Sequence, residues 1–369
     1  MGERLTLREN TRQVLCGSVK IGGGAPVSIQ SMTNTCTGDT EATVAQIKAL
    51  AAAGADIVRC AVPTTEDARA LREIMARLEE GGTTVPLVAD AHFDYKIALA
   101  AIKAGADKIR INPGNIGGPD RLKAVAEAAG AAGIPMRIGV NSGSIEAELR
   151  DLYEKRPAEA LAESALLNIE AARGAGFEDI VVSIKSSDVI VNTEAHKLLA
   201  EATDLPLHIG ITEAGIGPAG LAKSAAGIGA LLAMGIGDTI RVSLTGDPVS
   251  EIAAARDILR AVNLLPGQIT LISCPTCGRC RVDLAALCLE AAEALSELEK
   301  ARGPGKPIVA AIMGCAVNGP GEASHADVGV ACGAEGGVYF ENGVQVRRVK
   351  YDEIVSALVQ GVRSRALKV

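Results

Sequence analysis

Tryptophan is absent from the 369 residues, and only three Phe and four Tyr supply aromatic rings. A core must therefore be built from Ala, Val, Ile, Leu and Gly. That palette suits close-packed α/β layers, where small residues let helices lie against strands. Positive charge is also short: 37 Lys and Arg stand against 44 Asp and Glu, a net charge of −7. This balance argues against a nucleic-acid binder, which needs a basic surface to neutralise phosphates. No apolar run approaches the roughly 18 residues that span a bilayer. The longest candidate, Gly227 to Gly237, is short and rich in glycine. The opening MGERLTLREN fits the Met-Gly-x-x-x-Ser/Thr acylation pattern, but it is charged and lacks the apolar core of a signal peptide. A cytoplasmic location is expected. Cysteine, by contrast, is plentiful at nine residues, which in a reducing compartment points to metal or redox chemistry over a disulfide framework.

One phrase recurs along the first two-thirds of the chain. AAAGADIV, IKAGADKI, GAGFEDIV and AMGIGDTI each end a helical pattern with Gly and place Asp before a β-branched run. Gly can close the helix in the left-handed conformation, and the apolar run reads as a buried parallel strand. With the runs introduced by proline, the strands are APVSIQSM, DIVRCAVP, VPLVADAH, KIRINPG, PMRIGVN, DIVVSIKSS, PLHIGIT and DTIRVSLT. Each precedes a helical pattern such as Thr40 to Ala53 or Asp94 to Ala104. Eight strand–helix units close a (β/α)8 TIM barrel; a doubly wound open sheet is the alternative. After NLLPGQITLIS the rhythm breaks. A long helix, Leu284 to Arg302, then short glycine-broken strands and a last helix from Asp352 to Leu367 read as a smaller α+β domain. The expected division is a barrel over residues 1–266 and a second domain over 267–369.

In such a barrel the active site lies at the C-terminal strand ends. Reading them in order yields Arg59, Asp90 with His92, Arg110 with Asn112, Arg137 with Asn141, Lys185, His208 with Glu213, and Arg241 with Ser243. Cations gathered this way repel one another unless an anion arrives, and Arg is suited to forked hydrogen bonds on phosphate. A phosphate or diphosphate substrate is expected. The loop GIGPAG, Gly215 to Gly220, formally matches a dinucleotide fingerprint, but Asp238 opens the next strand instead of ending it. It reads better as a phosphate seat at a helix N-terminus. Glu213, among cations, is a candidate proton donor or a partner for an arginine. His196 reads as a surface residue of a helix, and His92 and His208 as hydrogen-bonding groups behind the site.

SCPTCGRC, Ser273 to Cys280, holds the other chemistry. Cys274 and Cys277 form a Cys-x-x-Cys pair, a strong sign of a metal or cluster, and Cys280 extends it. The ferredoxin run then needs a fourth cysteine where Leu284 stands, and a zinc ribbon needs a second close pair that Cys315 and Cys332 cannot supply. Cys288, Cys16, Cys36 and Cys60 read as packed thiols.

A second stretch, GCAVNGPGE (Gly314 to Glu322), brings a resemblance into view. With SCPTCGR and, in order, SIQSMTNT, IRINPGNIG, GVNSGS, SIKSSD, GITEAG and GIGDTIRVSLTGDP, it resembles the 4-hydroxy-3-methylbut-2-en-1-yl diphosphate synthase family of the non-mevalonate isoprenoid pathway, in its two-domain bacterial form. The resemblance spans almost the whole chain. It implies a TIM barrel followed by an iron–sulfur domain, with one 4Fe–4S cluster per chain on Cys274, Cys277, Cys315 and Glu322, leaving Cys280 out. A carboxylate is a harder, more exchangeable ligand than a thiolate, which suits an iron that meets a substrate oxygen. The implied oxidoreductase opens 2-C-methyl-D-erythritol 2,4-cyclodiphosphate and dehydrates it with two electrons from ferredoxin or flavodoxin. The implied substrate-binding residues are Arg59, Arg110, Arg137, Asn141, Lys185, Arg241 and Ser243, with Glu213 and Glu322 in catalytic roles.

The chain path adds an expectation. A last barrel helix over about Pro248 to Leu264 would carry the chain about 25 Å from the mouth back to the base. A linker as short as LPGQ then leaves the cluster domain at the wrong end of its own barrel. A two-fold homodimer, in which each cluster domain caps the partner's barrel, is expected. Two other readings stay open on the residues alone: an electron-transfer module on a binding barrel, and a zinc-stabilised barrel of the aldolase or pterin-synthase sort.

Overall fold

In the computed structural model, residues 7–91, 94–303 and 305–366 are described, and the chain divides into two compact units, 1–262 and 263–369. The first opens with an antiparallel hairpin, β1 (Val14–Cys16) and β2 (Val19–Ile21). Eight parallel strands follow: β3 (Ser28–Met32), β4 (Ile57–Ala61), β5 (Leu87–Asp90), β6 (Lys108–Ile111), β7 (Met136–Asn141), β8 (Ile180–Lys185), β9 (His208–Ile209) and β10 (Thr239–Ile240). They pair in sequence order, β10 pairs back to β3, and a parallel bridge between Val182 and Leu207 joins β8 to the start of β9. The ring is closed, so the expected barrel is present and the open sheet is not.

The recurring phrase has a local reason. Gly54 and Gly105 end their helices in the left-handed conformation. The Asp that follows reaches sideways: Asp56 accepts the backbone N–H of Ile29 (2.7 Å), Asp107 that of Leu87 (2.8 Å), and Asp238 that of Leu207 (2.7 Å). Each carboxylate thus ties the foot of one strand to the foot of its neighbour, satisfying a donor that would otherwise end the ladder unpaired.

The register also sorts the interior. Starting at Gln30, a step across each pair and up one residue meets Val88, Arg137 and His208 on alternate strands and returns to Gln30. This is the stagger of a TIM barrel, whose interior consists of layers of four side chains. Below this layer lie Ile57, Lys108, Val181 and Thr239. Above it lie Arg59, Arg110, Ser183 and Arg241, and then Met32, Asp90, Gly139 and Gly210. The hairpin seals the lower end. Val14, Cys16 and Ile21 form one apolar cluster with Ile57, Val88 and Val181. Strands of three residues show no period, so no sequence signal marks this plug.

The second unit is a five-stranded sheet: β11 (Ile269–Ser273), β12 (Ile308–Met313), β13 (Val328–Gly333), β14 (Gly336–Glu341) and β15 (Val344–Val349). The first three strands are parallel and the last two antiparallel additions. The long helix Leu284–Arg302 and the final helix Ile354–Ala366 bury Leu287, Ala291, Leu295, Leu358 and Val362 against Ile312, Val328 and Val330. No helix among the described residues is long and apolar enough to cross a membrane.

Candidate active site

Asp90 organises the cations of the barrel mouth. Its Oδ1 accepts from Arg110 Nη1 at 2.9 Å, and its Oδ2 lies 3.5 Å from Arg59 Nε. Arg59 also points Nε at Met32 Sδ, 3.1 Å away. Arg241 faces Glu251, whose Oε2 lies 3.7 Å from Nη2, while Oε1 of the same acid accepts the backbone N–H of Leu244. Lys185 donates to the carbonyl of Gly210 at 3.4 Å. The layer above the arginines makes room for them by placing glycine at two of its four positions: a Cβ at Gly139 would meet Arg110 Nε at 2.9 Å, and one at Gly210 would meet Lys185 Nζ at 2.7 Å.

Burial dominates the electrostatics. It pulls Arg59 down to about 9, an effect that Asp90 opposes. Arg137 and Lys185 are held well below their ordinary values, first by burial and then by the neighbouring cations. Five cations thus share two described carboxylates, and a polyanion would supply the missing charge. The structure brings Arg59, Arg110, Arg137, Lys185 and Arg241 together. Arg137 sits one layer deeper than Arg59, Arg110 and Arg241, on the second residue of β7 and not at its end. Asn141, the last residue of β7, pairs in register with Lys185. Asn112 is buried and Ser243 half-buried. Glu213 is exposed in the loop after β9, with a left-handed backbone (φ +51°). In the same loop the helix Gly217–Ala233 starts without a side-chain cap, leaving its first N–H groups for an anion. Gly220 lets that loop fold closely, since a Cβ there would lie 2.8 Å from the Gly215 carbonyl carbon.

Several expectations need correction. His196 is not on the surface: it is fully buried, its Nδ1 2.8 Å from the Asn192 carbonyl, because positions 192, 195, 196 and 199 form the inward stripe of the helix Val189–Ala202. Cys36 is exposed and not packed, whereas Cys16 and Cys60 are buried. His208 finds no hydrogen-bond partner among the described residues, and His92 lies outside them. Glu251 was missed, since an acid in the first turn of a helix ordinarily reads as surface.

In the second unit, two loops carry the thiols. Cys274 follows β11 and Cys315 follows β12; the backbone N–H of Gly314 donates to Cys274 Sγ at 3.3 Å, so the loops touch. The backbone N–H groups of Asn318, Val317 and Gly319 lower the pKa of the Cys315 thiol, which favours the thiolate that metals bind. Cys277 and Glu322 are exposed, the latter on the short helix Gly319–Ala323. Cys280 turns inward: its thiol donates to the Val282 carbonyl at 3.3 Å and packs against the core. No three His, Cys, Asp or Glu among the described residues are gathered at metal-binding distances. The donor set nevertheless suits an iron–sulfur cluster in its chemistry: soft thiols, one already tuned toward thiolate, and an accessible carboxylate.

Comparison with known proteins agrees over both units. Residues 11–256 match the GcpE TIM-barrel domain and residues 270–364 the GcpE protein C-terminal domain. A relative from Caldanaerobacter subterraneus subsp. tengcongensis, named 4-hydroxy-3-methylbut-2-en-1-yl diphosphate synthase (flavodoxin), is 49% identical over 97% of this chain and 98% of its own. The Bacillus subtilis protein of the same name is 49% identical over 96% and 91%. Among solved structures, dihydropteroate synthase from Stenotrophomonas maltophilia superposes with a TM-score of 0.51 at 20% identity, covering 69% of this chain and all (100%) of that one, which reflects the shared barrel alone. The chain belongs to the GcpE family, the 4-hydroxy-3-methylbut-2-en-1-yl diphosphate synthases.

Proposed function

We propose that this chain reduces 2-C-methyl-D-erythritol 2,4-cyclodiphosphate to 4-hydroxy-3-methylbut-2-enyl diphosphate, with flavodoxin, the donor in its relatives' names, supplying the electrons. Ferredoxin is the alternative donor of the same kind. The observation that carries the substrate assignment is the set of converging cations, Arg59, Arg110 and Arg137 buried and Lys185 and Arg241 half-buried, which face too few described carboxylates to be neutral. The two phosphoryl groups of the substrate answer that excess, with Asn141 and Ser243 at the rim completing their hydrogen bonds. The barrel, residues 1–266, binds and orients the substrate, and residues 267–369 hold the cofactor.

Cys274, Cys277, Cys315 and Glu322 would hold one 4Fe–4S cluster, leaving Cys280 in the core. When bound, the cluster supplies electrons one at a time and a Lewis-acidic iron for a substrate oxygen. The chain's own residues do the rest. The cations fix the diphosphate and stabilise the negative charge gained as the ring opens. Glu213 donates the proton that lets the hydroxyl leave as water. Its exposed carboxyl stands on a backbone held in an uncommon conformation, a feature that concentrates at functional positions. The helix Pro248–Ala261 runs from the strand ends back toward the foot of the barrel, which supports a homodimer in which each cluster domain serves the partner's mouth.

Anaerobic purification tests the cofactor. A brown protein with about four irons per chain is expected, retained in Cys280→Ser and lost in Cys315→Ser. A colourless zinc protein, or Cys280→Ser emptied of iron, would count against the assignment. Reductive turnover of the cyclodiphosphate then separates an enzyme from a mere electron carrier.

A further inference from the structure

Of the middle barrel layer, Gln30, Val88, Arg137 and His208, only Arg137 has a role so far. In barrels of this kind such positions are filled mostly by branched apolar side chains. Here three of the four are polar, with exposures of 1% for Gln30, 1% for Arg137 and 0% for His208. Both amide atoms of Gln30, both ring nitrogens of His208, and Nε and Nη1 of Arg137 are buried, and no described residue offers any of them a hydrogen bond. Buried polar atoms are as a rule bonded to protein or to water. Since no described residue provides a partner, solvent inside the barrel, directly beneath the layer of Arg59, Arg110 and Arg241, would have to join these groups.

We propose that this layer is a hydrated floor under the anion site, and that His208 is a positioning residue that holds Arg137, through bridging water, with its guanidinium toward the mouth. The charged groups that face the ring are Arg137, Lys185, Lys108 and Arg59, all cationic. Burial, reinforced by these four, keeps the imidazole uncharged. An uncharged ring has one nitrogen that accepts and one that donates, so it can join the water network without adding to the repulsion. An acid at this position would pair directly with Arg137 and draw it away from the substrate. A leucine would fill the space and accept nothing.

This inference rests on reading the mouth as a diphosphate site, and the test separates the two. Cofactor-loaded parent, His208→Leu, His208→Gln and Gln30→Met proteins are compared by KM and kcat on the cyclodiphosphate and by calorimetric binding of inorganic pyrophosphate. His208→Leu is expected to weaken pyrophosphate binding and raise KM about tenfold, the loss of one charge-assisted hydrogen bond, with kcat within about threefold. His208→Gln should restore most of the affinity because its amide supplies an acceptor, and Gln30→Met should shift in the same direction as leucine. Equal pyrophosphate affinity in parent and His208→Leu, or equal losses in the leucine and glutamine variants, would overturn the proposal. Should His208→Leu not fold, parent-like affinity in Gln30→Met would do the same. A parent that binds no pyrophosphate would remove the diphosphate reading itself, and this floor with it.

Discussion

Glu213 holds a left-handed backbone at φ +51°, which costs a residue with a Cβ about 1 kcal/mol. Its side chain is exposed, so packing does not explain the choice. Glycine at this position would remove the cost. Glu213→Gly is therefore expected to melt at or above the parent temperature, gaining up to about 1 kcal/mol, while losing most of its turnover. A lower melting temperature would show that the carboxyl contributes to stability and not to chemistry. At this scale the sequence was partly legible. Arg59, Arg110, Lys185 and Arg241 could be found because alternate positions near strand ends point inward. Arg137's depth, one layer down, could not, because it depends on a stagger visible only once every strand is in register. His196 was legible in principle: Asn192, Ala195 and Leu199 complete its inward stripe, but alanines carry too little hydropathy to mark it.

Among the elements, three of the eight barrel strands, β4, β6 and β10, share a repeated device, an Asp before the strand that receives an N–H at the foot of the neighbouring strand. The same device returns in the second unit, where Asp327 accepts the backbone N–H of Val309 at 2.8 Å. The hairpin β1–β2 gave no such signal. Two strands of three residues are too short for any period to show, and their apolar side chains make sense only against the barrel's underside. Ile21 is fully buried there. Ile21→Ala is expected to cost about 2–5 kcal/mol by leaving a cavity between plug and strands, measured by urea unfolding of the purified protein. A loss below about 0.5 kcal/mol would mean that the hairpin lies on the barrel without supporting it.

On the scale of the whole molecule, the proposed homodimer makes a prediction that no single chain can. Glu322→Ala removes the proposed carboxylate ligand of the cluster and Arg110→Ala a proposed substrate contact, so each homodimer should be inactive. If one protomer's cluster domain serves its partner's mouth, mixed dimers regain one intact site. After subunit exchange, about a quarter of parental turnover is expected from random pairing, half the dimers being mixed with one site each. Turnover no higher than the sum of the two separate variants would exclude assembly in trans. The plugged lower end has a separate consequence. A barrel closed at its foot by Val14, Cys16 and Ile21 is a blind-ended vessel, with one orifice for entry and exit. Substrate, product and the water formed by dehydration must all pass the same rim, in last-in, first-out order. Whatever covers that rim during reduction therefore acts as the escapement of the cycle, and turnover can run no faster than it lifts.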